Sequence, residues 1–213
     1  MSARANATER LDPARTALLF FDMLNGHVRK DDAATQARYA PVIAGAVRLL
    51  EAARRSGMVV MYAAAHHRPD NSTSAQLITD TDNRLQTLAP NAPRETTPVV
   101  AAGTWEAQMI EELEPQPQDY MIPKFRWSAF HQTYLDLALR SRNIDTLVIS
   151  GGSTDVGVAS TAYAARDLDY NLVIVSDACT SPEEDNHAQF MQRIFPRMAR
   201  VRTAEEVVRM LAG

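Results

Sequence analysis

The sequence predicts an α/β protein: a three-layer α/β/α sandwich around a doubly wound parallel sheet of five to six strands, in the order 3-2-1-4-5-6. Three observations carry this. Short runs rich in Val, Ile and Leu alternate with longer amphipathic stretches along the chain. Most of these runs lack polar–apolar alternation, which marks strands covered on both faces. Strand–helix alternation with right-handed crossovers then leaves few arrangements other than helices on both sides of a parallel sheet.

The strands are expected at residues 17–22, 58–64, 119–123, 145–150 and 171–177, with a weaker sixth at 199–202. Helices are expected between and after them, at 39–56, 104–113, 132–142, 158–168, 183–194 and 204–211. Punctuation supports these ends: Gly57 closes the first helix, Thr104 and Thr203 stand where caps are wanted, and Pro182 lies just ahead of another helix. Residues 66–102 form one long irregular stretch with Pro69, Pro90, Pro93 and Pro98. Such a loop reads as a pocket cover, a partner arm or a surface excursion with a short helix near 74–80.

The chain has 213 residues, 46% hydrophobic and 23% charged, enough for one domain spanning 1–213. A net charge of −4 gives no basic field for nucleic acid or an anionic membrane. No apolar stretch approaches the roughly 20 residues of a membrane span, and the polar start has no signal core, so a cytoplasmic location is expected. The single cysteine, Cys179, excludes an internal disulfide and a multi-cysteine metal site and reads as core.

Three places carry chemistry. Asp22 follows Leu18-Leu19-Phe20-Phe21, so its carboxylate lies at a strand end and is partly desolvated, which suits acid or base work. A helix cap is the plainer reading. Lys124 ends the third strand, where it can hold a carboxylate ionised or stabilise developing negative charge, or simply be a surface lysine. Arg126 and Trp127 follow it, a pair able to grip a planar anion or to stack on each other. The third place is the turn Gly151-Gly152-Ser153-Thr154-Asp155-Val156-Gly157. It joins a strand to a helix N-terminus, so its amides can face an anion or oxyanion, with Thr154 and Asp155 as candidate caps. Tight turns also need glycine for backbone reasons alone.

Taken in order, these blocks resemble the isochorismatase-like (cysteine) hydrolase superfamily. The resemblance runs from about residue 16 to 207 and is strongest at Leu18–Asn25, at Lys-Phe-Arg-Trp-Ser-Ala-Phe from Lys124, and at Gly-Gly-Ser-Thr-Asp-Val-Gly-Val-Ala-Ser-Thr from Gly151. It implies Asp22 as acid/base, Lys124 as its electrostatic partner and Gly157 at the position that most members fill with a nucleophilic cysteine. It further implies a cis peptide between Gly152 and Ser153, a substrate or oxyanion site at Gly152, Ser153 and Val156, and a dimer or tetramer. The chain departs from the family at Leu24, where glutamine is common. The metal motif of the nicotinamidase branch is also missing, since the loop reads Ala65-His66-His67-Arg68. No metal and no cofactor are expected. His67 or Arg68 is a candidate for the substrate mouth.

Three functions follow. The first is non-covalent hydrolysis of a small, carboxylated metabolite with Asp22 as general acid, as the glycine-bearing isochorismatases do on a vinyl ether. Isochorismate itself fits less well, because those enzymes carry tyrosine and histidine where this chain has Ser153 and Asp155. The second is a C–N hydrolase in which Asp22 activates water on an amide or ureido carbon. The third is a small-molecule-binding relic without catalysis.

Overall fold

The computed structural model describes residues 9–70, 72–74, 80–81, 84–85 and 100–212. Six strands form one parallel sheet: β1 (Thr16–Phe21), β2 (Val59–Ala65), β3 (Tyr120–Lys124), β4 (Thr146–Gly152), β5 (Asn171–Thr180) and β6 (Arg200–Arg202). Their order is β3-β2-β1-β4-β5-β6, all neighbours parallel, as the sequence predicts. Two further two-residue strands, Asp80–Thr81 and Arg84–Leu85, pair antiparallel outside this sheet. The expected short helix near 74–80 and most of the 66–102 stretch lie outside the described residues.

Every residue of β1 is buried, and its side chains alternate between two cores. Leu18 and Phe20 join the layer built with α2 (Ala33–Ser56) and α6 (Ala204–Ala212), through Leu49, Leu50, Ala53, Val207 and Met210. Ala17, Leu19 and Phe21 face the other layer, with α3 (Leu135–Ser141), α4 (Ala159–Asp167) and the segment after α5 (Glu184–Gln189). Burial on both faces explains why the strand sequences show no alternation. No described helix is long and apolar enough to cross a membrane.

Helix α2 starts at Ala33, ahead of the expected residue 39, because the Asp32 carboxylate accepts the Thr35 N–H at 2.6 Å and caps a polar first turn. Gly57 ends it at φ 73°, in the left-handed region where glycine costs least. At 204, Thr203 and Glu206 exchange backbone and side-chain bonds as a capping box.

The expected helix at 104–113 does not form. Two short 3-10 turns, Trp105–Ala107 and Glu111–Leu113, stand there instead. Between them the chain pairs with the loop after β1: the Asn25 N–H reaches the Gln108 carbonyl and the Ile110 N–H reaches that of Met23. Those bonds replace the intrahelical ones, and the Thr104 hydroxyl donates to the Ala101 carbonyl rather than capping.

Candidate active site

The candidate residues Asp22, Lys124 and the turn at residues 151–157 meet at the carboxyl ends of β1, β3 and β4, where an open parallel sheet presents ligand sites. Asp22 follows β1 with φ 49°, an uncommon backbone for a non-glycine residue. Its N–H is held by the Ala63 carbonyl at 2.9 Å, and its Oδ1 accepts the Ala65 N–H at 2.8 Å. The other oxygen, Oδ2, lies 2.6 Å from Lys124 Nζ. The pair is nearly sealed, with side-chain exposures of 12% for Asp22 and 6% for Lys124. Lys124 Nζ also stands 4.4 Å from the centre of the Phe21 ring. A cation over an aromatic face in a desolvated place is held more firmly than one in water.

Three titratable groups surround this ion pair and feel its charges. His27, on the short helix α1 (Asn25–Val28), has its pKa lowered, first by burial and further by Lys124, against the opposing pull of Asp22. His67 is lowered for the same first reason. The Tyr39 phenol is raised by burial and by the Asp22 charge. No sequence pattern marks Tyr39 as part of this surrounding. The signal for His27 was its position five residues beyond Asp22 on the same connection.

The turn after β4 is built by close approach. The Gly152–Ser153 peptide is cis, as the resemblance implies. At Gly151 φ is 129°, and a Cβ there would fall 2.1 Å from the Phe21 carbonyl oxygen, so only glycine fits. A Cβ on Gly157 would fall 2.1 Å from Phe21 Cε1 and 2.5 Å from Cζ. The Phe21 ring therefore fills the volume that a side chain on residue 157 would occupy.

Thr154 and Asp155 do not cap the helix. They open a π-turn, Thr154–Val158, that leads into α4, and no side chain caps it. Asp155 instead anchors the turn to the loop after β5 and to α5: it accepts bonds from the Ser153 hydroxyl on its own turn, from Ser181 Oγ at 2.6 Å and from Asn186 Nδ2 at 2.8 Å. Burial works against its charge, yet these three donors outweigh it and its pKa ends below the usual aspartate value. Thr154 Oγ1 and His187 Nδ1 share a 2.9 Å hydrogen bond beside it.

The remaining candidates lie at the rim. Val156 is partly exposed on the turn. His67 meets the edge of the Phe125 ring and lies 3.5 Å from the Thr73 hydroxyl. Arg126 donates to the Thr73 and Phe125 carbonyls, so its guanidinium is engaged by backbone. Trp127 is 63% exposed. Cys179 is buried in β5, its thiol pushed up to about 12 by desolvation. Among the described residues no group of three or more His, Cys, Asp or Glu is arranged to hold a metal.

A six-stranded parallel sheet with a nearly buried Asp–Lys pair and a small-residue turn at its carboxyl end is the arrangement that the resemblance to the isochorismatase-like superfamily implies. The comparisons agree: a family model, the isochorismatase domain, matches residues 16–206. The chain belongs to the isochorismatase family and is an isochorismatase-family hydrolase. It is 32% identical over 200 residues to an uncharacterized isochorismatase family protein, YwoC of Bacillus subtilis, covering 93% of this chain and 95% of that one. Among solved structures, a cysteine hydrolase from Pseudomonas syringae superposes with a TM-score of 0.80 at 26% identity, covering 95% of this chain and 94% of that one. An N-carbamoylsarcosine amidase from Thermoplasma acidophilum superposes with a TM-score of 0.69 at 25% identity, covering 90% and 97%.

Proposed function

We propose that this protein hydrolyses a small, carboxylated metabolite without a covalent enzyme intermediate, with Asp22 as general acid and Lys124 as its electrostatic partner. The observation that carries this reading is the 2.6 Å Asp22–Lys124 pair standing beside a turn whose residue 157 has no side chain. The chain's one cysteine supplies no substitute nucleophile, since Cys179 is buried in β5 and its thiol is driven toward the protonated form.

The substrate class is an enol ether. Asp22 in its protonated form gives its proton to the terminal enol carbon. The adjacent carbon becomes an oxocarbenium ion and takes water, whose proton returns to Asp22. The hemiketal then parts into an alcohol and a carbonyl product. Lys124 stabilises the Asp22 carboxylate left after the first transfer. The turn at Gly152, Ser153 and Val156 is assigned to the substrate's carboxylate, with Arg126, Trp127 and His67 at the mouth. The assembly proposed is a dimer or tetramer, which light scattering checks: a 23.6 kDa particle at micromolar concentration contradicts it.

A second reading, water-mediated C–N hydrolysis, is favoured by the likeness to the N-carbamoylsarcosine amidase. Hydrolysis of an enol-ether panel beside an amide and ureide panel separates the two. Turnover of enol ethers that disappears in Asp22→Asn supports the first. Turnover confined to amides or ureides overturns it.

A further inference from the structure

We infer that Phe21 is the positioning residue that commits this pocket to chemistry without a nucleophile on residue 157, an inference that rests on the non-covalent reading above. Phe21 is the last residue of β1 and points into the layer that holds α4. It is 1% exposed. An ideal Cβ on Gly157 would lie 2.1 Å from Cε1, 2.5 Å from Cζ and 3.1 Å from Cδ1 of this ring. Carbon atoms in contact stand about 3.5–4.0 Å apart, so no side chain at 157 coexists with the ring where it is.

The ring has little freedom to withdraw. The Phe21 backbone is wedged against Gly151, whose own Cβ would meet the Phe21 carbonyl oxygen at 2.1 Å. The ring packs in a closed apolar layer, with Lys124 Nζ 4.4 Å from its centre. One side chain thus does two things. It takes the volume that a residue-157 side chain would need, and it offers Lys124 an aromatic face that keeps the ammonium beside Asp22. Residues 21 and 157 behave as one unit: a large ring with no side chain, or a small residue with one.

The test compares the parent with Gly157→Ala, Gly157→Cys, Phe21→Val and Phe21→Val/Gly157→Cys. Adding a Cβ alone overpacks the site, so both Gly157 variants are expected to lose about 3–10 °C of thermal midpoint. Phe21→Val/Gly157→Cys is expected to melt above Gly157→Cys, although Phe21→Val on its own lowers the midpoint. A double variant that melts at or below Gly157→Cys overturns the inference.

The second measurement is alkylation of the new thiol by iodoacetamide in the folded double variant, read by peptide mass across pH. The thiolate sulfur bonds to the methylene carbon as the carbon–iodine bond breaks, iodide leaves and the thiol proton goes to solvent. With the ring gone, this thiol is expected to enter the volume of the ring that Lys124 Nζ faces at 4.4 Å. Its alkylation should reach half-maximum at least about one pH unit below the ordinary thiol value of roughly 8.5. Adding Lys124→Met should abolish that displacement. A thiol that titrates normally with Lys124 present overturns the positioning role. Neither measurement uses a substrate, so failure of the enol-ether assignment is told apart from failure of this one.

Discussion

Asp22 accepts the backbone N–H of Ala65 with one carboxylate oxygen and faces Lys124 with the other. The side chain therefore bridges the ends of β1, β2 and β3, and its orientation is fixed before any substrate arrives. Asp22→Asn keeps the shape and the bond from Ala65 but removes the charge and the transferable proton. Activity on the eventual substrate should fall by about 10²–10⁴-fold. Lys124 would be left without its counter-charge, so a stability loss of up to about 3 kcal/mol is expected in urea unfolding. An Asn variant with normal turnover would remove the acid role.

Stability should fall on the acidic side of neutrality. His27, His67 and His187 each have folded pKa values lowered, with burial as the first cause. Above about pH 6.5 both folded and unfolded forms are neutral at these sites. As pH drops through that value the unfolded chain takes up protons first, so stability falls until the lower folded values are reached. His27, the most enclosed of the three, contributes at most about 1.4 kcal/mol per pH unit. Urea midpoints from about pH 7.5 to pH 5 should show the decline, and His27→Gln should flatten it.

Asp155 ties the β4 turn to the loop after β5 through Ser181 and to α5 through Asn186, and accepts a further bond from Ser153 on its own turn. Asp155→Ala strands three donors and should cost about 1–3 kcal/mol. Because the same turn is assigned to the substrate carboxylate, KM should rise more than kcat falls. An unchanged KM would detach this network from binding.

Thiol reagents should leave the protein untouched. Cys179 is buried with its thiol pushed up to about 12, so at pH 8 the folded chain should give no reaction with a disulfide reagent. In denaturant its single cysteine should react. Loss of activity on thiol modification of the folded protein would contradict this arrangement.

The sheet was legible because each strand is covered on both faces and so reads as an unbroken apolar run: 17–22 and 145–150 fall on β1 and β4 almost residue for residue. Residues 104–113 misread because their amphipathic spacing is also satisfied by two 3-10 turns, once Asn25 and Met23 supply backbone partners from another part of the chain. At the site, Asp22 and Lys124 announced themselves by ending strands. Phe21 did not, since an aromatic residue closing an apolar strand looks like ordinary core. Its contact with Gly157 joins residues far apart in the chain, and no local pattern records it. His27 and Tyr39 escaped for a similar reason, because their significance lies in whose charges they feel.

The fit of Phe21 against Gly157 also fixes an order in which this sequence can change. A cysteine introduced first at 157 arrives in occupied space and is selected against by folding, before any chemistry can recommend it. A smaller residue introduced first at 21 opens the space at a moderate loss of stability, and a thiol can follow. Between this pocket and a thiol-bearing one, the passable path therefore begins on the strand rather than at the turn, and a library that varies residue 157 alone would sample only its closed end.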